Sequence, residues 1–460
     1  MDGPNVLLVV LDTARADRFV PHGGSPQIAP AIAGLAGRGT AIPRVFATSN
    51  WTLPSHVSLF TGLLPSEFGV AGGSGDRASY LATVREGFER HRARTLPAVL
   101  GDAGYDTRAV SANPWIRSAH GFGPLFDDFA DVHGARPGHD SMLRTRLAWW
   151  RARHNEGAAA AREHVAGWIR EARRPFFWFA NLMECHSPYL PPRPYDDLGP
   201  VERWRAVRDA TRHLTPAGLA RVCVGESDPG PEAFARMGHL YGRAIRYMDD
   251  WLSSVLEDLD RAGMLDDTLV VVTSDHGEHL GEHGLLGHTM SLAQRLLHVP
   301  LISAGPTPLL DDRGTGAVSL ARLPALLAEA IGMTEHPWTE WAWPGIAPAH
   351  NAGLGHSPER QKLAAARGVP AAARERLNTP MECALDGRFK LLRTGENEAL
   401  YDLDADPEEG RDVSAAHPER VTALRAALVL GSAPAQHADR PVEPGEEAEI
   451  ERHLEALGYL

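Results

Sequence analysis

The stretch Asn5-Val6-Leu7-Leu8-Val9-Val10-Leu11-Asp12 decides the fold. Every residue from Val6 to Leu11 is aliphatic. An apolar run without polar alternation reads as a strand buried on both faces, which is the pattern of a parallel sheet. Ligands of open α/β sheets gather beyond the carboxyl ends of the strands, and there the run delivers Asp12. A lone aspartate after a strand reads equally well as a cap or a turn residue, so Asp12 needs company to carry meaning.

Two more apolar runs supply it. Residues 175–183 lead into Glu184-Cys185-His186-Ser187-Pro188-Tyr189. Residues 266–273 deliver Ser274-Asp275-His276-Gly277-Glu278. Between them, residues 241–262 carry Ile245, Met248, Trp251, Leu252, Val255 and Leu259 at helical spacing. Residues 96–103 read as a helix, followed by a turn and a strand through Ala109, Val110 and Ser111. Alternation of this kind predicts an α/β fold with a mostly parallel central sheet sandwiched by helices. A catalytic domain is expected over 1–335, with cap insertions near 71–94, 125–170 and 200–240. A Pro- and Ala-rich linker is expected over 336–376. A smaller C-terminal α+β domain over 377–460 would hold short strands at 381–392 and 398–403 and a helix at 418–430.

The chain has 460 residues, 43% of them hydrophobic, which is enough for a large core and two domains. A net charge of −13 argues against nucleic acid or an anionic membrane as partner. The three cysteines, Cys185, Cys223 and Cys383, are odd in number and far apart, and read as free thiols of a reducing compartment. The apolar run 6–11 is too short for a leader's core, and no stretch reaches a membrane span, so a cytoplasmic enzyme is expected. The sequence leaves a homo-oligomer open.

The chemistry gathers around Ser49-Asn50-Trp51-Thr52-Leu53-Pro54-Ser55-His56, which puts a hydroxyl on a Pro-containing turn before a helix at about 55–64. Three oxygen donors, Asp12, Thr52 and Asp275, with the imidazole of His276 form a ligand set for one divalent metal ion. The nitrogen favours Mn²⁺ or Zn²⁺, while Mg²⁺ and Ca²⁺ also suit the oxygens. A threonine hydroxyl is a poor nucleophile at neutral pH, and coordination lowers its pKa.

Asp12, Thr52 and the Asp275-His276 pair, in that order along the chain, resemble the sulfatase-like branch of the alkaline phosphatase superfamily. Leu59-Phe60-Thr61-Gly62-Leu63-Leu64-Pro65, the Gly281-Glu282-His283-Gly284 loop, Asp386 to Arg393 and the closing Leu457-Gly458-Tyr459-Leu460 extend the resemblance over nearly the whole chain. It implies that His186 binds the transferred group or protonates the leaving group. It also implies that His288 stands where sulfatases usually present a lysine. His56, Asn113 and His283 are expected near the substrate. His56 and Asn113 also have plainer readings, as a brace for the turn and as a turn former before Pro114. Cys185 is read as structural.

The sequence departs from the sulfatase pattern at the nucleophile. Threonine stands where a sulfatase carries the cysteine or serine that becomes formylglycine, and His56 stands where the modification motif has arginine. Asn113 falls where many sulfatases have a Lys-x-His pair, and Thr13 where calcium sulfatases place a second aspartate. The set is similar to the threonine type of phosphonate monoester hydrolases and lipoteichoic acid synthases. Nucleotide pyrophosphatase/phosphodiesterases use threonine with two metals, but Leu182 and His186 stand where the second site needs Asp-x-x-x-His. A small anionic ester is therefore the expected partner, most consistently a phosphodiester or phosphonate monoester. A phosphoryl or sulfuryl transferase, a sulfate ester hydrolase using unmodified threonine, and a binding protein on a decayed scaffold are the alternatives.

Overall fold

The computed structural model describes residues 3–71, 77–132, 146–147, 149–152, 155–288, 290–310, 316–353, 364–366 and 368–428. The closing motif at 457–460 lies outside them, as do 133–145 of the second expected insertion and 354–363 of the expected linker.

Seven strands form the central sheet: β1 (Asn5–Leu11), β2 (Thr40–Ala41), β3 (Asp106–Ser111), β4 (Asp128–Asp131), β5 (Phe176–Leu182), β6 (Thr268–Thr273) and β7 (Leu301–Ala304). Their order is β2-β7-β6-β1-β5-β3-β4. The pairs β6–β1, β1–β5, β5–β3 and β3–β4 are parallel, and β7 runs antiparallel to both β6 and β2. Successive side chains of a strand point to opposite faces. Every residue of β1, β5 and β6 is buried, so both faces are covered there. Each buried Leu or Val contributes roughly 1.5–3 kcal/mol, which makes these central strands the anchor of the core. Because β1, β3, β5 and β6 are parallel, their carboxyl ends open at one edge.

Helix α1 (Pro30–Arg38) packs on β7, and α2 (Thr52–Thr61) starts at the predicted nucleophile, three residues before the sequence places it. Helix α3 (Ala158–Arg170) covers β3 and β5. Two helices, Pro200–His213 and Pro216–Cys223, occupy the third expected insertion, and the first expected insertion holds the helix Arg77–Arg90. The long α4 (Pro231–Arg261) begins ten residues ahead of its predicted start. Among the described residues, no helix is long and apolar enough to cross a membrane. The three cysteines are buried free thiols.

A second, antiparallel sheet runs β8 (Ala347–Asn351), β9 (Met381–Leu385), β10 (Phe389–Thr394), β11 (Asn397–Asp402), and α5 (Pro418–Arg425) packs on it. Strand β8 corrects the reading of 336–376 as linker. Its residues carry no strand pattern of their own, yet all five are buried, and His350 N–H donates to the Thr48 carbonyl at 3.0 Å. The small sheet is thereby joined to the segment that leads into α2.

Candidate active site

Four strand ends supply the site. β1 ends on Asp12, β6 continues into Ser274, Asp275 and His276, β3 leads to Asn113, and β5 leads to His186. Asp12, Asp275 and His276 are wholly buried, and one ligand atom from each lies within 4.8 Å of the others. Thr13 follows Asp12 in the left-handed region (φ 61°), a conformation strained for a β-branched residue. It turns the Thr13 N–H onto Asp275 Oδ1 at 3.1 Å, and the His276 N–H reaches the same oxygen at 2.9 Å. Tyr241 locks this turn: its hydroxyl donates to the Thr13 carbonyl (2.7 Å) and accepts the Arg15 N–H (2.9 Å).

Thr52 opens α2, and all ten residues of that helix are buried. Pro54 falls in the first turn, where its missing N–H is no loss. The helix N-terminus carries partial positive charge and N–H groups without intrahelical partners, which favour an anion beside the Thr52 hydroxyl. Thr52 Oγ1 lies 3.4 Å from His276 Nε2 and 3.4 Å from Asn113 Nδ2. Asn113 Nδ2 also donates to Asp12 Oδ2 at 2.6 Å.

Could these residues hold a cation? Asp12 Oδ1 and Asp275 Oδ2 are buried with no hydrogen-bond partner among the described residues. Buried carboxylate oxygens left this way are costly unless a cation meets them. His276 Nδ1 lies 2.9 Å from the Gly277 carbonyl, which can only accept, so the ring's hydrogen sits there and Nε2 keeps its lone pair. Burial and then the like charge of Asp275 push Asp12 well above the usual carboxylate range. Burial also pulls Asp275 upward, but His276, His56 and the two N–H groups outweigh it and hold Asp275 below that range. Two such neighbours ionise together only beside a positive charge. The donor set fits a divalent ion.

The other expected residues divide. His186 and His288 belong to the cluster, with ring centroids 5.3 Å apart and His288 4.6 Å from His276. His186 Nδ1 donates to the Ser187 carbonyl at 3.0 Å. His288 Nδ1 lies 3.2 Å from Glu278 Oε1. Burial pushes His288 down to about 4 and Glu278 up to about 7. The substrate contact expected of His56 is corrected: its Nδ1 donates to the Thr52 carbonyl (2.9 Å) and its Nε2 accepts from Asn181 Nδ2 (2.9 Å). Both nitrogens are used inside the fold, so His56 braces the turn. His283 stands exposed on a turn at φ 56° and is not one of the buried residues.

Three residues with no role in the sequence reading enter the site. Glu278 is one, and its position two after His276 was the available signal. Asn50 and Asn351 are the others: Asn50 Nδ2 donates to the carbonyls of His288 (2.7 Å) and Ser291 (2.9 Å), and Asn50 Oδ1 accepts from Asn351 Nδ2 (2.7 Å). Nothing in the sequence pairs residues that far apart.

Comparison with known proteins gives the family. The model of the family described as "Sulfatase" matches residues 4–332. The chain belongs to the sulfatase family. Within it, the chain is 26% identical over 456 residues to the choline-sulfatase of Rhizobium meliloti (strain 1021), covering 88% of this chain and 81% of that protein. It is 24% identical over 356 residues to the multifunctional alkaline phosphatase superfamily protein PehA of Trinickia caryophylli, covering 62% of this chain and 65% of that one. The crystal structure of the phosphonate monoester hydrolase of Agrobacterium radiobacter matches with a TM-score of 0.62 at 20% identity, over 92% of this chain and 96% of that one. At that identity the likeness establishes the fold, which is the sulfatase-like α/β fold. This sulfatase-family chain is an ester hydrolase by descent, and the family is metal-dependent in general.

Proposed function

We propose that the protein hydrolyses a phosphodiester or phosphonate monoester through a covalent intermediate on Thr52. The observation that carries this reading is Thr52 Oγ1 itself, at a helix N-terminus, 3.4 Å from His276 Nε2 and beside the buried Asp12 and Asp275. A threonine cannot become formylglycine, and a sulfated threonine lacks the elimination route that frees a sulfated aldehyde hydrate. Asp12, Thr52, Asp275 and His276 would hold the ion, Mn²⁺ or Zn²⁺ by their donor chemistry, with Mg²⁺ and Ca²⁺ also compatible. Bound there, a divalent ion lowers the hydroxyl pKa and draws charge from the ester oxygens.

The chain's own groups do the rest. Thr52 gives up its proton to solvent base, its oxygen bonds to phosphorus, and the bond from phosphorus to the alcohol breaks. The alcohol oxygen takes a proton from His186 or His288. Water then attacks phosphorus, returns a proton to the same imidazole, and Thr52 leaves and is reprotonated. Asn113 Nδ2, which faces Thr52 Oγ1, donates to charge developing on the phosphoryl oxygens.

The likeness to a choline-sulfatase over most of the chain keeps a second reading in view, sulfate ester hydrolysis on unmodified threonine. Transfer to an acceptor alcohol in place of water would use the same residues. Metal-stripped protein given Mn²⁺, Zn²⁺, Mg²⁺ or Ca²⁺ in turn, with matched aryl phosphodiester, phosphonate, phosphomonoester and sulfate esters, separates these readings. The expected result is a phosphodiester or phosphonate preference, lost in Thr52→Ala with the fold intact. Faster sulfate turnover, or an undiminished Thr52→Ala, overturns the proposal. Product analysis with added alcohols distinguishes transfer.

A further inference from the structure

Glu278 is wholly buried, and a carboxylate in that position needs a hydrogen-bonded or charged partner. The local hairpin provides one. In the pair of short strands His279–Leu280 and Leu286–Gly287, His279 faces Gly287 and Leu280 faces Leu286. Continuing that register by one residue sets Glu278 opposite His288, and their side chains meet with Oε1 3.2 Å from Nδ1. The contact is therefore built into the loop that follows the metal-ligand pair.

We propose that Glu278 is a positioning residue that orients His288 and makes His288, in preference to His186, the group that serves the leaving alcohol; this rests on the phosphoryl-transfer reading above. A carboxylate oxygen accepts, so Nδ1 carries the shared hydrogen and Nε2 is left to give or take the proton. His186 also feels the charge of Glu278, but its Nδ1 donates to the neutral Ser187 carbonyl, so a different contact sets the orientation of its ring. Position favours His288 as well. Its carbonyl is held by Asn50 Nδ2 at 2.7 Å, two residues before Thr52, so the ring and the nucleophile share one rigid frame. In the first half-reaction the ring, protonated at Nε2 from solvent, passes that proton to the alcohol oxygen as its bond to phosphorus breaks. In the second, Nε2 takes a proton from the attacking water.

The test uses the metal-loaded enzyme and a series of esters that differ only in the leaving alcohol, from 4-nitrophenyl to methyl. A 4-nitrophenolate leaves without a proton, whereas an alkoxide does not. Glu278→Gln keeps the size and an acceptor oxygen and removes the charge. It is expected to lower kcat about 10²-fold on the methyl ester and less than about threefold on the 4-nitrophenyl ester, with KM and metal content unchanged. His288→Gln should show the same split, and the double variant should lose little more than either single one. His186→Gln should lower kcat evenly along the series. A uniform loss in Glu278→Gln, or a split appearing in His186→Gln, overturns the assignment. Should Glu278→Gln fail to fold, ¹⁵N NMR of the histidine rings of the parent decides: His288 protonated at Nδ1 supports the proposal, and protonation at Nε2 alone overturns it. The same series made as sulfate esters keeps this test separate from the choice of phosphorus over sulfur.

Discussion

Asn113 joins two groups that chemistry alone would leave competing. Its amide donates to Asp12 Oδ2 and to Thr52 Oγ1, while its own oxygen accepts the Trp115 N–H at 2.8 Å. Asn113→Ala should therefore lower kcat about 10²-fold, the usual effect of losing one donor to a developing oxyanion, and should destabilise the fold by only about 1 kcal/mol. Unchanged turnover in steady-state kinetics would remove Asn113 from the reaction. His350 shows a different kind of buried residue. It is wholly buried, with neither ring nitrogen partnered among the described residues, and burial pushes it down to about 4. The unfolded chain takes up this proton near pH 6.5, and the folded chain resists until about pH 4. His350 thus exacts no penalty above pH 6.5, and stability is lost as pH falls from 6.5 to 4, by roughly 1.4 kcal/mol per pH unit at most. Half-buried His22 and buried His288 share that window, so the comparison is between parent and His350→Leu. Denaturation midpoints at pH 7 and pH 5 should show a smaller acid loss in the variant; equal losses would mean that His350 is hydrated or charged.

Helix α2 carries the nucleophile, and its far end is as tightly held as its start. Gly62 ends it at φ 70°, and a Cβ there would lie 2.6 Å from Trp338 Cδ1. The Trp338 Nε1–H and the Arg94 Nε–H both cap the Thr61 carbonyl, at 2.9 and 3.1 Å. Gly62→Ala adds roughly 1–2 kcal/mol for the left-handed conformation and about 1–3 kcal/mol for the overlap. The denaturant midpoint should fall accordingly, and an unshifted midpoint would show that Trp338 moves aside freely. The existence of α2 was legible from Pro54 and the apolar spacing after it, but its first residue was not. Proline is tolerated anywhere in a first turn, so Pro54 does not say whether Thr52 is helical. The early start of α4 was hidden for another reason. Arg236 interrupts its apolar face, and it is buried there because Asp209 and Glu202 pair with it at 2.7 Å. A charge that finds its partner on another helix cannot be recognised from local periodicity.

At the scale of the whole chain, the central strands β1, β5 and β6 could be read directly, because each is a largely apolar run with polar residues just beyond it, whereas the short strands β2, β4 and β7 carry no such run. The role of the C-terminal sheet could not be read, because its contacts with the site join residues hundreds apart. Asn351 bonds Asn50, and Asn50 holds the His288 carbonyl. A second connection starts at Lys390, which is wholly buried on β10. Its Nζ reaches the Leu292 carbonyl and Glu409, and Glu409 Oε2 accepts the Gln294 N–H at 2.6 Å. From there Arg295 pairs with Glu408 and Asp17, and Asp17 with Arg15, whose N–H is held by the Tyr241 hydroxyl beside Asp12. If the small sheet supports the His288 loop, damage at Lys390 must be felt in catalysis. Lys390→Met strands Glu409 without its cation and should destabilise the protein by about 3–5 kcal/mol, whereas Lys390→Met/Glu409→Leu should recover part of that loss because no buried charge is left unpaired. Both variants sever the tie to the Leu292 carbonyl, so both should lower kcat on the preferred ester even in the double variant, where the fold is the more stable. Stability and turnover recovering together would show that the C-terminal sheet contributes only to folding; recovery of stability with kcat still low would show that it also sets the geometry of the His288 loop.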